Sequence, residues 1–145
     1  VEGMSFSFSS ENITAPKSES INLYSTPDHA PALVVTLAIL RRKAMITGLR
    51  NLNFKESNRQ EALCELLEKM QVSFNSGDDF LELKYFPKNW PQKVTIDPRK
   101  DHRMAMAASL LSSVMQVEIT EPACVSKSFP EFWKEFAKLG NPLIY

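Results

Sequence analysis

The chain has 145 residues, 43% hydrophobic and 23% charged, enough for one globular core and too few for two. Lys plus Arg is 17 and Asp plus Glu is 17, so the formal charge is zero and offers no cation excess for counterion-releasing attachment to nucleic acid. The longest nearly uninterrupted apolar run, Ala30 to Leu40, falls well short of the roughly 20 residues of a membrane helix. No basic segment followed by an apolar one stands at the start, so no secretory signal is expected. Val1 in place of Met leads us to expect a piece of something longer. Cys64 and Cys124 have the spacing of neither a metal pair nor a disulfide framework and read as free thiols of a reducing cytosol.

Taken in chain order, alternation at Met4–Phe8 and again at Ile21–Tyr24 predicts two short strands joined by a polar turn around Pro16. Asp28 is expected to cap a helix over Ala32–Leu40, with Pro31 in its first turn. Ala44–Thr47 predicts a short strand ended by Gly48, and a second helix is expected from about Glu56 to Met70. Val72–Phe74 and Phe80–Leu83 predict a hairpin across Asn75-Ser76-Gly77-Asp78. Beyond a link bearing Pro87 and Pro91 come a strand at Val94–Ile96, a helix from about Asp101 to Val114, a strand at Val117–Ile119 and a last helix over Pro130–Leu139. Strands alternating with helices argue an α/β fold, and the order repeats after about 70 residues with the second copy unfinished.

On the second helix Leu63, Leu66, Leu67 and Met70 form one stripe, and Glu61, Glu65 and Glu68 mark the opposite face. At about 100° per residue, Glu56 and Arg59 fall within roughly 30° of the centre of the apolar stripe. Two readings stay open for this pair: charges kept wet at a helix end, where the dipole also favours Glu56, or charges aimed into a site. Arg103 likewise opens an apolar row with Ala107, Leu110 and Val114 on the third helix. Singly, Asp101 reads as an N-cap, His102 as a local hydrogen-bonding residue, Lys127 as a surface lysine and Asp28 as a cap. Together, Lys55, Arg59, Arg103 and Lys127 are cations at helix beginnings or strand-to-helix turns, where ligands bind in open α/β folds and backbone N–H groups also favour anions. With Asp28 and Glu56 in equivalent places, the set suits a substrate bearing carboxylate and phosphate, the two acids moving protons. No Gly-rich phosphate loop, metal-ligand cluster or nucleophile elbow competes, and neither metal nor cofactor is expected.

Three segments carry a further signal: Asn51-Leu52-Asn53-Phe54-Lys55-Glu56-Ser57-Asn58-Arg59, Asp101-His102-Arg103-Met104-Ala105-Met106-Ala107 and Lys127-Ser128-Phe129-Pro130, in that order and preceded by Asp28. From roughly Tyr24 to Gly140 the chain resembles the 5-enolpyruvylshikimate-3-phosphate synthase (3-phosphoshikimate 1-carboxyvinyltransferase) family, in its C-terminal third. The resemblance implies a cytoplasmic enzyme that transfers the enolpyruvyl group of phosphoenolpyruvate to the 5-hydroxyl of shikimate 3-phosphate, releasing phosphate, on the route to chorismate and the aromatic amino acids. It implies an α/β architecture of repeated βαβαββ units, three to a domain, in a two-domain enolpyruvyl transferase fold with the active site in the cleft. Residues 1–145 would then be the C-terminal part of one domain, about two of its three units, with the second domain absent and the piece inactive alone. The partners implied are the two small-molecule substrates and the missing N-terminal portion of the same enzyme, with no nucleic acid, no membrane and a monomeric parent.

By the same resemblance Asp28 matches the aspartate that takes the proton of the attacking hydroxyl, and Glu56 the glutamate that protonates the methylene carbon of phosphoenolpyruvate. Lys127 is counted with these catalytic groups. Asp28, Asn51 and Lys55 match positions holding shikimate 3-phosphate, and Arg59, Arg103 and Lys127 match the cations on phosphoenolpyruvate, where the inhibitor glyphosate also binds. Addition across an enol ether needs an acid and a base on different elements, and about three negative charges on phosphoenolpyruvate need several fixed cations. Many members carry aspartate at position 58 and arginine at position 53, where this chain has asparagine, and the stretch Asp97–Lys100 is more charged than usual. The family's N-terminal lysine, phosphate-binding serines and opposite-domain arginine have no counterpart here. Two other readings are weighed: the related UDP-N-acetylglucosamine enolpyruvyl transferases, which do not usually show the Lys55-Glu56 and Asp101-His102-Arg103 motifs in this form, and a non-catalytic module binding an anion or a partner protein.

Overall fold

Alternation in Ala44-Met45-Ile46-Thr47 resolves, in a computed structural model describing residues 19–55 and 57–140, into one of the two inner strands of a mixed sheet. The elements are β1 (Glu19–Asn22), α1 (Ala30–Ile39), β2 (Ala44–Thr47), α2 (Arg59–Lys69), β3 (Ser73–Gly77), β4 (Phe80–Tyr85), β5 (Lys93–Ile96), α3 (His102–Ser109), β6 (Gln116–Ile119) and α4 (Phe132–Ala137). The sheet order is β1-β2-β4-β3, with β1 parallel to β2 and the remaining neighbours antiparallel. β5 and β6 pair in parallel as a second, two-stranded sheet. The expected α/β class holds. The strand expected at Met4–Phe8 lies outside the described residues.

Register follows the apolar pattern. Ala44 pairs with Leu83 and Ile46 with Leu81, so all four side chains share one face and are buried. Against that face pack Leu63, Leu66, Leu67 and Met70 of the stripe read from the sequence, all buried, while Glu61, Glu65 and Glu68 face solvent. α1 is apolar nearly all round because it is covered on several sides, packing on both α2 and α3. Among the described residues, no helix is long and apolar enough to cross a membrane.

Several boundaries differ from the sequence reading, each for a local reason. Asp28 does not cap α1. It sits in a 3-10 turn, Pro27–His29, and the position before the helix is His29, whose side chain makes no capping bond. The second helix starts at Arg59 rather than near Glu56, because Asn58 takes the N-cap role and its Oδ1 accepts from the Glu61 N–H at 3.2 Å. Glu56 itself lies outside the described residues. The hairpin turns at Asp78-Asp79, and Asn75, Ser76 and Gly77 continue β3 against Glu82, Leu81 and Phe80. The third helix tightens into a 3-10 turn at Leu110–Ser113 before β6, so its α-helical part is shorter than expected. The first described strand is Glu19–Asn22, and Tyr24 is exposed beyond it. α4 is likewise shorter than the expected Pro130–Leu139.

At the end of β2, Gly48 has φ +78°, and a Cβ there would lie 2.7 Å from the Tyr24 Cα. Glycine is required at that position both for the left-handed backbone and for the close approach of the chain leaving β1.

Candidate active site

Turns leaving the C-terminal ends of β1, β2 and β5 carry the charged residues. The Pro27–His29 turn after β1 holds Asp28, and it packs against the 3-10 turn Arg50–Phe54 after β2. Buried Leu49 and Leu52 anchor that second turn, and Asp79 in the hairpin supports it: its carbonyl accepts from Leu49 N–H at 3.2 Å and its carboxylate from Arg50 N–H at 3.0 Å. Lys55 follows directly, then Ser57 and Arg59 at the start of α2. Asp101 and Arg103 open α3.

These turns meet at Asp28. Its Oδ1 lies 2.7 Å from Arg59 Nη1 and 3.3 Å from Lys55 Nζ, and its Oδ2 lies 3.5 Å from Arg103 Nη2. Three of the four predicted cations therefore face one carboxylate. Burial opposes ionisation of Asp28, but the hydrogen bond from Lys55 and the charges of Arg103, Lys55 and Arg59 outweigh it, leaving its pKa below the usual carboxylate value.

Arg59 is the buried member, its side chain only 3% exposed. Its Nε donates to Asp101 Oδ2 at 2.5 Å and its Nη2 to Asp101 Oδ1 at 3.3 Å. Burial disfavours the guanidinium charge, yet the hydrogen bond and charge of Asp101, with the charge of Asp28, raise its pKa. Asp101 is wholly buried and also accepts from Ser57 Oγ at 3.2 Å, from Arg103 N–H at 2.9 Å and from Met104 N–H at 3.4 Å. The sequence reading of Asp101 as a cap is thus correct and incomplete: the same carboxylate clamps Arg59 and so ties the start of α2 to the start of α3. The signal was available, since an arginine within an apolar stripe needs a buried acid.

The charged stretch before Asp101 has a structural use. Arg99 and Lys100 both adopt positive φ, and Arg99 reaches the outer face of α2, pairing with Glu61 at 3.0 Å and Glu65 at 2.6 Å. This tie from the segment before α3 to the outer face of α2 is exposed and contributes at most about 1 kcal/mol.

Lys127 stands apart from the cluster. It ends the 3-10 turn Pro122–Lys127 after β6, is exposed, and makes no ion pair among the described residues. Its turn packs on α3 through Cys124, Val125 and Ala105, and is held from the other side where Trp133 Nε1 donates to the Pro122 carbonyl at 2.8 Å. Asn51 is exposed on the Arg50–Phe54 turn. Of the seven residues singled out from the sequence, the structure joins Asp28, Lys55, Arg59 and Arg103 directly. It places Asn51 on the adjoining turn and Lys127 on the turn beside α3, and Glu56 falls outside the described residues.

Both cysteines are unbridged thiols, Cys64 half-buried and Cys124 buried. Burial first, then the carboxylates of Glu68, Glu61 and Glu65, push the Cys64 thiol up, and burial with Asp101 does the same to Cys124.

As pH falls, the unfolded chain takes up the Asp28 proton first, so the cluster's stabilisation is complete above the ordinary carboxylate value and is lost as pH falls through the lower, folded value. Urea denaturation of the wild type and of Asp28→Asn should give midpoints that differ at neutral pH, with a gap that narrows as pH falls below the ordinary carboxylate value. A gap that stays constant as the solution is acidified through the carboxylate range would show that Asp28 titrates alike in both states.

The sequence model of the family described as EPSP synthase (3-phosphoshikimate 1-carboxyvinyltransferase) matches residues 4–136. Among curated relatives named 3-phosphoshikimate 1-carboxyvinyltransferase, one from Dehalococcoides mccartyi is 36% identical over 118 residues, covering 81% of this chain and 27% of the relative. One from Haemophilus influenzae is 33% identical over 114 residues, covering 78% and 26%, and one from Nitrosomonas europaea is 37% identical over 120 residues, covering 79% and 27%. The chain therefore spans about 27% of the length of these relatives. With a family match across nearly the whole chain, the chain belongs to the EPSP synthase family.

Proposed function

We propose that this chain is part of an enzyme that transfers the enolpyruvyl group of phosphoenolpyruvate to the 5-hydroxyl of shikimate 3-phosphate and releases phosphate. The observation that carries this reading is the convergence of Lys55, Arg59 and Arg103 on Asp28 at the ends of three strands, in a member of the EPSP synthase family. Arg59 and Arg103, joined by Lys127 from the next turn, would offset the carboxylate and phosphate of phosphoenolpyruvate. Asn51 and Lys55 would hold shikimate 3-phosphate. Asp28 would accept the proton of the 5-hydroxyl as its oxygen bonds to the substituted carbon of phosphoenolpyruvate, and Glu56 would deliver a proton to the methylene carbon. Acid and base then stand on different segments, as that addition requires.

In this reading the order β1-α1-β2-α2-β3-β4 is one βαβαββ unit, and β5-α3-β6-α4 begins another, in one domain of a two-domain fold. The opposing domain and the remaining unit would come from the missing N-terminal portion, so the chain alone should not turn over. The test is to mix the chain with the N-terminal portion of a homologous synthase and measure phosphate release from the two substrates. Release on mixing, and from neither piece alone, is the expected result. A stable complex of the two that binds both substrates and releases nothing would remove the transferase reading and leave an anion-binding module.

A further inference from the structure

On the reading of this cluster as an anion site, we infer that Asp28 is its resident counter-anion, displaced by an incoming substrate anion that takes over Arg103 and thereby frees the carboxylate to accept a proton. The three cations are not held alike. Arg59 is almost wholly buried and doubly bonded to Asp101, so it cannot leave. Lys55 and Arg103 have side chains 32% and 40% exposed and reach Asp28 at 3.3 and 3.5 Å, longer than the 2.7 Å of Arg59. The two outer arms are thus both the looser contacts and the ones that solvent, and an anion arriving from it, can reach. Asp28 is itself 40% exposed on the side chain and lies between them.

Charge arithmetic points the same way. Lys55, Arg59 and Arg103 all face Asp28, so removing the Asp28 charge would leave the described cluster one unit more positive. A filled site and an ionised Asp28 therefore compete for the same cations. By reciprocity, an anion that weakens the hold on Asp28 must raise its affinity for a proton, and protonation of Asp28 must tighten anion binding by the same factor. The groups that set this balance are Lys55 from the segment before α2, Arg59 from α2, Arg103 from α3, and Asp101 behind Arg59. The site would then hold a weak base while empty and a stronger one once the anion is seated, so that proton removal waits for that anion.

Sulfate is the probe, because its charge stays constant over the range in which carboxylates titrate. Calorimetric titration of the 145-residue chain with sulfate should give binding about tenfold tighter for Asp28→Asn than for wild type, the size expected for removing one nearby charge from a partly wet site. In the unsubstituted chain, the carbon NMR titration of the Asp28 carboxyl should shift to higher pH when sulfate is added, a measurement that needs no variant to fold. Equal or weaker sulfate binding by Asp28→Asn, or an Asp28 midpoint unmoved by sulfate, overturns the counter-anion role. If in that case Arg103→Gln still weakens sulfate binding, the anion site stands without it. If sulfate binds neither the wild type nor Asp28→Asn, both fall together.

Discussion

Replacing Asp101 with alanine should lower the stability of the chain by about 3–5 kcal/mol, the range for removing one partner of a buried pair and leaving the other charge uncompensated. Arg59 cannot escape to water, since its side chain is 3% exposed at the head of α2. The substitution would also strip the cap from α3, where Asp101 accepts from the N–H groups of Arg103 and Met104. Asp101→Asn separates the two losses. It keeps a cap acceptor at the same place and removes only the charge, so it should fall between wild type and Asp101→Ala. Urea denaturation followed by far-UV circular dichroism measures all three. A loss below about 1 kcal/mol for Asp101→Ala would mean that Arg59 finds full compensation from its other neighbours, and that the link between α2 and α3 does not depend on Asp101.

In the reconstituted enzyme, Arg103→Ala should reduce turnover by about 10²–10³, as for loss of one preorganised electrostatic group. Arg103 tests the chemistry better than Arg59 does. Its side chain is 40% exposed and its described ion pair to Asp28 is long, so its removal should leave the fold almost untouched. Removing Arg59 would instead strand Asp101 in the core and confound a catalytic effect with a stability one. The split between kcat and KM adds information. A fall in kcat and kcat/KM together places Arg103 on charge that develops in the transition state, whereas a raised KM at unchanged kcat makes it a contact of uniform binding. Wild-type kinetics would take Arg103 out of the site.

Asp101 and Arg103 also show where a local pattern stops being informative. That Asp101 begins a helix is visible from its place ahead of an apolar row, and the structure bears it out through two capping bonds. That its carboxylate also closes on Arg59, 42 residues earlier, is not visible there. Asp28 illustrates the converse. A proline-aspartate pair before an apolar run looks like a helix cap, yet the turn tightens to 3-10 geometry and the carboxylate is drawn to three cations from other segments. The start of α2 moved for a local reason: Asn58 takes the N-cap, its side chain accepting from the Glu61 N–H.

The sequence by itself determined the order of the described strands and helices, the face that α2 buries, and the presence of Arg59 within an apolar stripe. Those follow from periods of two and 3.6 residues, which are properties of the backbone acting over a few neighbours. Only the tertiary structure decided that Lys55, Arg59 and Arg103 share one carboxylate, that Asp101 joins two helix starts, and that Lys127 stands on the neighbouring turn without touching them. Ion pairs across separate turns depend on how the β1, β2 and β5 ends are brought together by the core beneath them. That placement is set by the packing of α1, α2 and α3 on one another, and no local periodicity encodes it.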